Sequence, residues 1–346
     1  MGSSECPLPV LLALGATVFL VEAPNPEMWF SCAQYLSKVR GTLVVPLRRR
    51  SKGGSKLHIL GHGMTLEEFV ALAGCDICEH AQEVASWVCA QAREHRLCVG
   101  SYYASSLDGE DLIRRAVAAD AVAAAVAAAR PDTFLAFLCS VNQSYAVPKA
   151  RFAEARQRLQ SLPAETPMDR LWHAGLRALG RDGRLSPNCP AATVGTTQGP
   201  LHFNNSYIWS NGANWAFASL VYRWRALLAQ SQGFSVSANI VPAHEASTTD
   251  LSNYFGIFYF ESATARALLS ALLLHDLYRD SSGAPVASGQ LLFSANAVHG
   301  GLWRAPVSAN TCMLAFRAIA GRVLAVQGGK AFMTPEEGPE AGQLLE

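Results

Sequence analysis

Five short apolar runs, spaced by helical segments, constrain this chain more than any other feature. They are residues 16–21 (ATVFLV), 42–47 (TLVVPL), 97–103 (LCVGSYY), 133–139 (TFLAFLC) and 236–241 (VSANIV). A strand that reads as an uninterrupted apolar run is covered on both faces, the condition of a parallel sheet lying between helices. The segments between the runs carry helical spacing. In 28–39 the residues Trp29, Cys32, Ala33, Leu36 and Val39 share a face, and Gly41 is expected to cap the C-terminus. Thr65 with Glu68 has capping-box spacing and opens a helix through Leu72. Further helices are expected at 79–93, at the Ala-rich 111–130 stopped by Pro131, and at 151–162, 168–179, 214–230 and 264–277. Residues 191–197 and 290–298 read as additional strands, the latter at an edge. Alternating strands and helices predict an α/β fold with a doubly wound, mostly parallel sheet and helices on both faces. One domain is expected over 1–332, with a mainly helical insertion at about 141–200 and a disordered Pro/Gly/Glu-rich tail at 333–346.

Composition narrows the function classes. Of the 346 residues, 50% are hydrophobic and only 16% charged, and the net charge is +1. That balance leaves no electrostatic footprint for nucleic acid or an anionic membrane. The single basic cluster, Arg48-Arg49-Arg50-Ser51-Lys52, reads as a solvated loop. A surface so poor in charge points to protein partners. Residues 8–21 are apolar but lack a basic leader and a small-residue cleavage site, and they are too short to span a bilayer. Nine irregularly spaced cysteines do not form a secreted disulfide framework, so a reducing intracellular compartment is expected, with no transmembrane segment.

The order of these pieces resembles the short-chain dehydrogenase/reductase superfamily, most closely the ketoreductase domains of type I fatty acid synthases. Leu12-Ala13-Leu14-Gly15-Ala16-Thr17-Val18 resembles the end of the family's first helix and its second strand. Gly41-Thr42-Leu43-Val44-Val45-Pro46-Leu47 resembles the third strand. Cys98 to Ser101 falls at the fourth, and Phe137 to Ser140 where the fifth carries the catalytic serine. Val236 to Pro242, followed by Thr248 and Thr249, resembles the late strand and the threonine loop beside the cofactor. The resemblance spans most of Leu12 to Leu277 and implies a Rossmann-like sheet. For an active member it implies NADP or NAD as cofactor, Ser140, Tyr145 and Lys149 as the catalytic set, and Asn239, Pro242 and Thr248 beside the cofactor.

Two departures weaken the catalytic half of that implication. Residues 1–10 (MGSSECPLPV) contain no G-x-G-x-x-G. The family uses such a turn because backbone must approach the pyrophosphate at the following helix N-terminus. The first βα unit is therefore expected to be absent, unless the chain is incomplete. The second departure concerns the proton donor. Family chemistry pairs a Tyr with a Lys one helical turn on, the cation lowering the phenol pKa. Tyr145-Ala146-Val147-Pro148-Lys149 supplies the letters, but Pro148 opposes one continuous helix through both side chains. The alternative alignment, at the family-like distance before Pro242, puts Trp215 and Ser219 in those places. An indole and a hydroxyl cannot do that work. This second alignment fits the spacing better and leaves no dyad.

Other clusters favour ordinary readings. Cys75-Asp76-Ile77-Cys78, with His80, Cys89 and Cys98 beyond, lacks the second pair that a zinc site needs, and small buried hydrophobes are the expectation. The remaining histidines, including His244 beside Glu245 and His299 before Gly300-Gly301-Leu302-Trp303, form no hydrolytic or metal motif. Phe203, Tyr207, Trp209, Trp215, Tyr222 and Trp224 crowd one stretch with only Arg223 and Arg225 near, which suits protein contact better than base stacking. The expectation is a non-catalytic reductase-like protein, a pseudoenzyme without cofactor, serving as a structural or assembly subunit. Its partner surface is expected near 8–21 and Trp209. The alternative is a ketoreductase-like NAD(P)-dependent oxidoreductase.

Overall fold

The computed structural model describes residues 6–48, 64–92, 96–101, 109–139, 143–160, 186–189, 193–196, 199–204, 213–242 and 260–280, with a few isolated positions besides. These form a mixed α/β architecture of eight helices and eight strands in three small sheets. Two of the sheets are parallel. Strand β1 (Thr17–Phe19) pairs with β2 (Thr42–Val44), and β3 (Cys98–Ser101), β4 (Phe134–Cys139) and β8 (Val236–Ile240) lie in the order β3-β4-β8. The third is antiparallel and unites β5 (Tyr145–Val147), β7 (Gly199–Asn204) and β6 (Thr193–Thr196) in the order β5-β7-β6.

β4 is the centre of the main sheet. All six of its residues are buried, and side chains alternate between its faces. Phe134 and Ala136 meet Leu11 of α1 (Leu8–Ala13) and Leu273 and Leu277 of α8 (Ser262–Asp280). Leu135, Phe137 and Cys139 join the larger cluster. There α5 (Gly109–Ala129) contributes Leu112, Ala116, Ala123 and Ala127, and α7 (Ala213–Ser231) contributes Ala218, Tyr222, Ala226 and Ala229. The alanines let these helices approach each other and the sheet closely. A bidentate pair fastens them, with the Arg225 guanidinium donating to both Asp120 oxygens at 2.6 and 2.8 Å.

The β1–β2 pair is covered differently. A cluster of Trp29 and Cys32 from α2 (Pro26–Leu36) with Phe69 from α3 (Leu66–Leu72) packs on Leu20, Leu43 and Val45. Phe19 and Val21 join Leu97 and Val99 over Val84, Ala85 and Val88 of α4 (Ile77–Gln91), so both parallel sheets share one apolar layer. Phe19 and Trp87 meet edge-on at 5.7 Å. No backbone hydrogen bond joins β1 to β3 among the described residues.

Several expectations are corrected. α2 begins at Pro26 with Asn25 as its N-cap, the Asn25 side chain accepting from Met28 N–H at 3.1 Å, and it ends at Leu36. Gly41 therefore caps nothing. A Cβ there would meet the Leu12 carbonyl at 2.6 Å and the Ala16 carbonyl at 2.8 Å, so glycine gives α1 its clearance. The capping box of Thr65 and Glu68 forms as read, a device typically worth about 1 kcal/mol. Of the segment 141–200, the described residues hold one helix and parts of the antiparallel sheet. α6 (Lys149–Gln160) is the helix, and β5, which the sequence did not mark as a strand, precedes it. The run 191–197 contributes β6, antiparallel to β7. Of 290–298, Leu292 and Phe293 lie in a turn, and Phe293 packs on Tyr145. The other residues of 290–298, the tail 333–346 and all of 168–179 except Arg170, Ala174 and Gly175 lie outside the described residues. No helix among the described residues is long and apolar enough to cross a membrane.

Gly74 tests the packing of the N-terminal layer. It sits at φ +101°, and an added Cβ would lie 2.8 Å from Trp29 Nε1. Gly74→Ala should lower the unfolding free energy by about 1–3 kcal/mol, from the left-handed backbone and the clash together. Urea denaturation followed by Trp fluorescence reads this, and an unchanged midpoint would contradict the packing described.

Candidate functional site

The residues singled out for reductase chemistry are placed as follows. Tyr145 lies in β5, with none of its surface exposed. Its N–H donates to Asn204 Oδ1 at 2.9 Å, and its ring packs on Phe293. The Arg223 guanidinium sits 5.0 Å from the centres of both rings and donates to the Ser144 carbonyl at 3.0 Å. Burial pushes the Tyr145 phenol well above its ordinary pKa; the nearby Cys139 thiol adds to this, and Arg223 opposes it. A phenol activated by a neighbouring cation would shift the other way. Lys149 opens α6 and is exposed, so Tyr145 and Lys149 belong to a strand and a helix divided at Pro148. Ser140 follows β4 directly and lies outside the described residues, as do Thr248 and Thr249.

Asn239 and Pro242 are described. Both are buried, Asn239 in β8 opposite Leu138. The Asn239 amide donates to Ser237 Oγ at 2.8 Å and to Asp276 Oδ2 at 3.0 Å. Ser237 Oγ donates to the same Asp276 oxygen at 2.7 Å. Residues two apart on a strand share a face, and here that face lies against α8. The carboxylate that completes the cluster is distant in sequence, and periodicity gave no signal for it. This arrangement ties helix to strand.

The alternative positions, Trp215 and Ser219, are one turn apart in α7. Ser219 is buried, and its Oγ has no hydrogen-bond partner. His202 is likewise buried, its ring stacked on Phe152 at 4.0 Å, and its Nδ1 is unpartnered.

Around Cys75 and Cys78 the chemistry opposes thiolate formation. Asp76 is the N-cap of α4 and accepts from Cys78 N–H at 2.9 Å. Burial, then the Asp76 charge, raises both thiol pKa values. His80 sits at a kink in α4. Among the described residues no group of three or more His, Cys, Asp or Glu side chains could hold a metal ion.

A different feature emerges on the outer side of α5 and α7. In α7 the exposed residues from 217 to 228 are Phe217, Leu220, Trp224 and Leu228, a stripe at helical spacing. Trp224 is 76% exposed, more than any other large hydrophobic side chain among the described residues. On α5 the exposed residues from 117 to 128 are Val117, Ala121, Ala125 and Ala128. No charge is exposed on either line, and the intervening Arg225 and Asp120 neutralise each other. Sequence reading placed Trp224 on an amphipathic helix but not on its outer face. The surface expected near 8–21 is mixed, since Leu8 and Leu12 are buried while Leu14 is 66% exposed. Trp209 lies outside the described residues.

Comparison of the chain with protein-family models, curated proteins and solved structures finds no match in any of the three.

The Asp276 cluster yields a stability test. Asp276→Ala leaves the Asn239 amide and the Ser237 hydroxyl without their shared acceptor, at a cost of about 1–3 kcal/mol. The variant should unfold at lower urea with an unchanged circular dichroism spectrum. A midpoint equal to wild type would show that the cluster does not hold α8 to β8.

Proposed function

We propose that this protein is a non-catalytic relative of the short-chain dehydrogenases that serves as a structural or assembly subunit of a larger complex. The observation that carries this reading is the apolar outer face of α5 and α7 over residues 117–128 and 217–228, where no charged side chain is exposed. Extended apolar surface on a folded chain marks a partner site, because leaving it in water costs about 25 cal/mol per Å². Two arrangements support the ancestry. The parallel pairings of β1 with β2 and of β3 with β4 and β8, and the apolar layer the two groups share, are compatible with parts of a doubly wound sheet. Loss of catalysis is supported by the burial of Tyr145, which raises its pKa despite the nearby Arg223, and by its separation from Lys149.

In native extract the chain should migrate above its 37.1 kDa mass, and Trp224→Glu should return it to the monomer position with an unchanged fold. A wild-type chain that already runs as a free monomer would count against the assembly role. Calorimetric titration of the purified chain with NADPH and NADH separates the alternative reading. No saturable heat is expected without a glycine-rich pyrophosphate cradle. Micromolar binding would favour an oxidoreductase that uses Ser140, Tyr145 and Lys149.

A further inference from the structure

β1 and β3 each keep one backbone edge unpaired. The bonds of β1 to β2 use residues 16, 18 and 20, with Thr42 N–H donating to the Ala16 carbonyl and Leu20 N–H to the Val44 carbonyl, both at 3.0 Å. Alternate residues of a parallel strand present their N–H and C=O to opposite sides, so those of Thr17 and Phe19 point away from β2. In β3 the Leu97 carbonyl accepts from Phe134 N–H at 2.9 Å, and the same alternation turns Cys98 and Gly100 away from β4. The backbone groups of these four residues find no partner among the described residues.

The two edges face each other. Phe19 and Val21 join Leu97 and Val99 in one apolar layer on Val84 and Val88 of α4 and Val122 and Val126 of α5. Leu43 of β2 lies instead in the Trp29 cluster, so β1 is the strand of its pair nearer to β3. Yet β1 and β3 stand further apart than paired neighbours. On the opposite face α1 packs on β1 and, through Leu11, on Phe134 and Ala136 of β4. Two strand edges thus wall a slot floored by α4 and α5 and roofed by α1. Thr17, Cys98 and Gly100 are exposed within it. The Cys98 thiol is nonetheless pushed up to about 12 by the protein crowded around it, with Arg96 opposing. Exposure together with crowding marks a recess open to solvent, not a convex surface.

We infer that this slot is a strand-insertion site, in which an extended apolar segment of a partner polypeptide lies between β1 and β3, pairs with both and joins the two parallel sheets into one. A strand bonds alternately to its left and right neighbours, so about four residues meet Thr17, Phe19, Cys98 and Gly100. Its side chains are apolar on both faces, because one set lies beside Phe19 and Val99 and the other beneath α1. The additional strands expected in the sequence lie elsewhere: 191–197 gives β6 of the antiparallel sheet, and Phe293 packs on Tyr145. The inference rests on the assembly reading for the source of the strand, but its site is separate from the outer face of α7.

The probe is a synthetic peptide of five valines flanked by a lysine pair at each end. Hydrogen exchange on the purified full-length chain, read residue by residue by NMR, should show the amides of Thr17, Phe19, Cys98 and Gly100 exchanging faster than those of Val18, Leu20 and Val99. Saturating peptide should slow those four by about tenfold or more. The same peptide N-methylated at alternate valines lacks the donors for one edge and should give no protection. Thr17→Pro and Gly100→Pro each withdraw a slot-facing N–H and spare the bonds to β2 and β4. Each should weaken peptide binding about tenfold or more with unchanged circular dichroism. Four amides already protected without peptide would show that a segment of this chain fills the slot, and would overturn the inference. So would a peptide that leaves them unprotected, or equal protection by the N-methylated form. If the peptide fails while native extract still holds a Trp224-dependent larger species, the strand site falls and the assembly reading stands. If the peptide binds and no such species exists, the assembly reading alone falls.

Discussion

Burial of β4 on both faces is the constraint on which the rest of the structure depends. Its backbone bonds to β3 on one side over Phe134–Phe137 and to β8 on the other over Leu135–Cys139, so its polar groups are paired within the sheet along these stretches. Parallel neighbours cannot be joined by tight turns, and the chain must leave the sheet and return through a helix. α5 supplies the return from β3 to β4, and α7 precedes β8. Both pack on the face defined by Leu135, Phe137 and Cys139, and this common floor brings them together. The Asp120–Arg225 pair, the alanine-lined contact and the exposed outer stripe all follow from that juxtaposition.

The same geometry explains why the outer stripe is apolar. α5 packs between α4 and α7, and α7 packs on β4 and on α5. The outer side of α7 was free to take charged residues, and it instead carries Phe217, Leu220, Trp224 and Leu228. By contrast, the reductase-type residues on the inner side are absorbed into packing. Tyr145 lies under Arg223 and Phe293, and Asn239 is bonded to Asp276.

Much of the framework was legible because it is local. Uninterrupted apolar runs marked β1, β2, β3, β4 and β8, and the Thr65–Glu68 spacing marked the start of α3. The ends were less legible. Pro26 begins α2 earlier than the apolar period suggests, since its missing N–H costs nothing in the first turn. The antiparallel sheet was missed because β5 is three residues long and its pairing with His202 to Asn204 is non-local. The outer stripe was missed for a related reason. Periodicity finds an apolar face but cannot say which of two apolar sides of α7 meets the sheet. Clearance such as that at Gly41 is set by a helix nearly thirty residues away in the chain, which composition does not reveal.

The division of the parallel strands into two groups has a thermodynamic consequence of its own. Among the described residues β1 and β2 are coupled to the β4 sheet through side chains: Phe19 against Trp87, the Glu22–Arg115 ion pair at 3.1 Å, and the shared layer on α4. Cooperative melting of a sheet is normally transmitted by its continuous hydrogen-bond ladder, and here the ladder is interrupted. The N-terminal layer is thus expected to open as a unit of its own, its amides exchanging with solvent through local fluctuations while those of β4 exchange only through a larger unfolding.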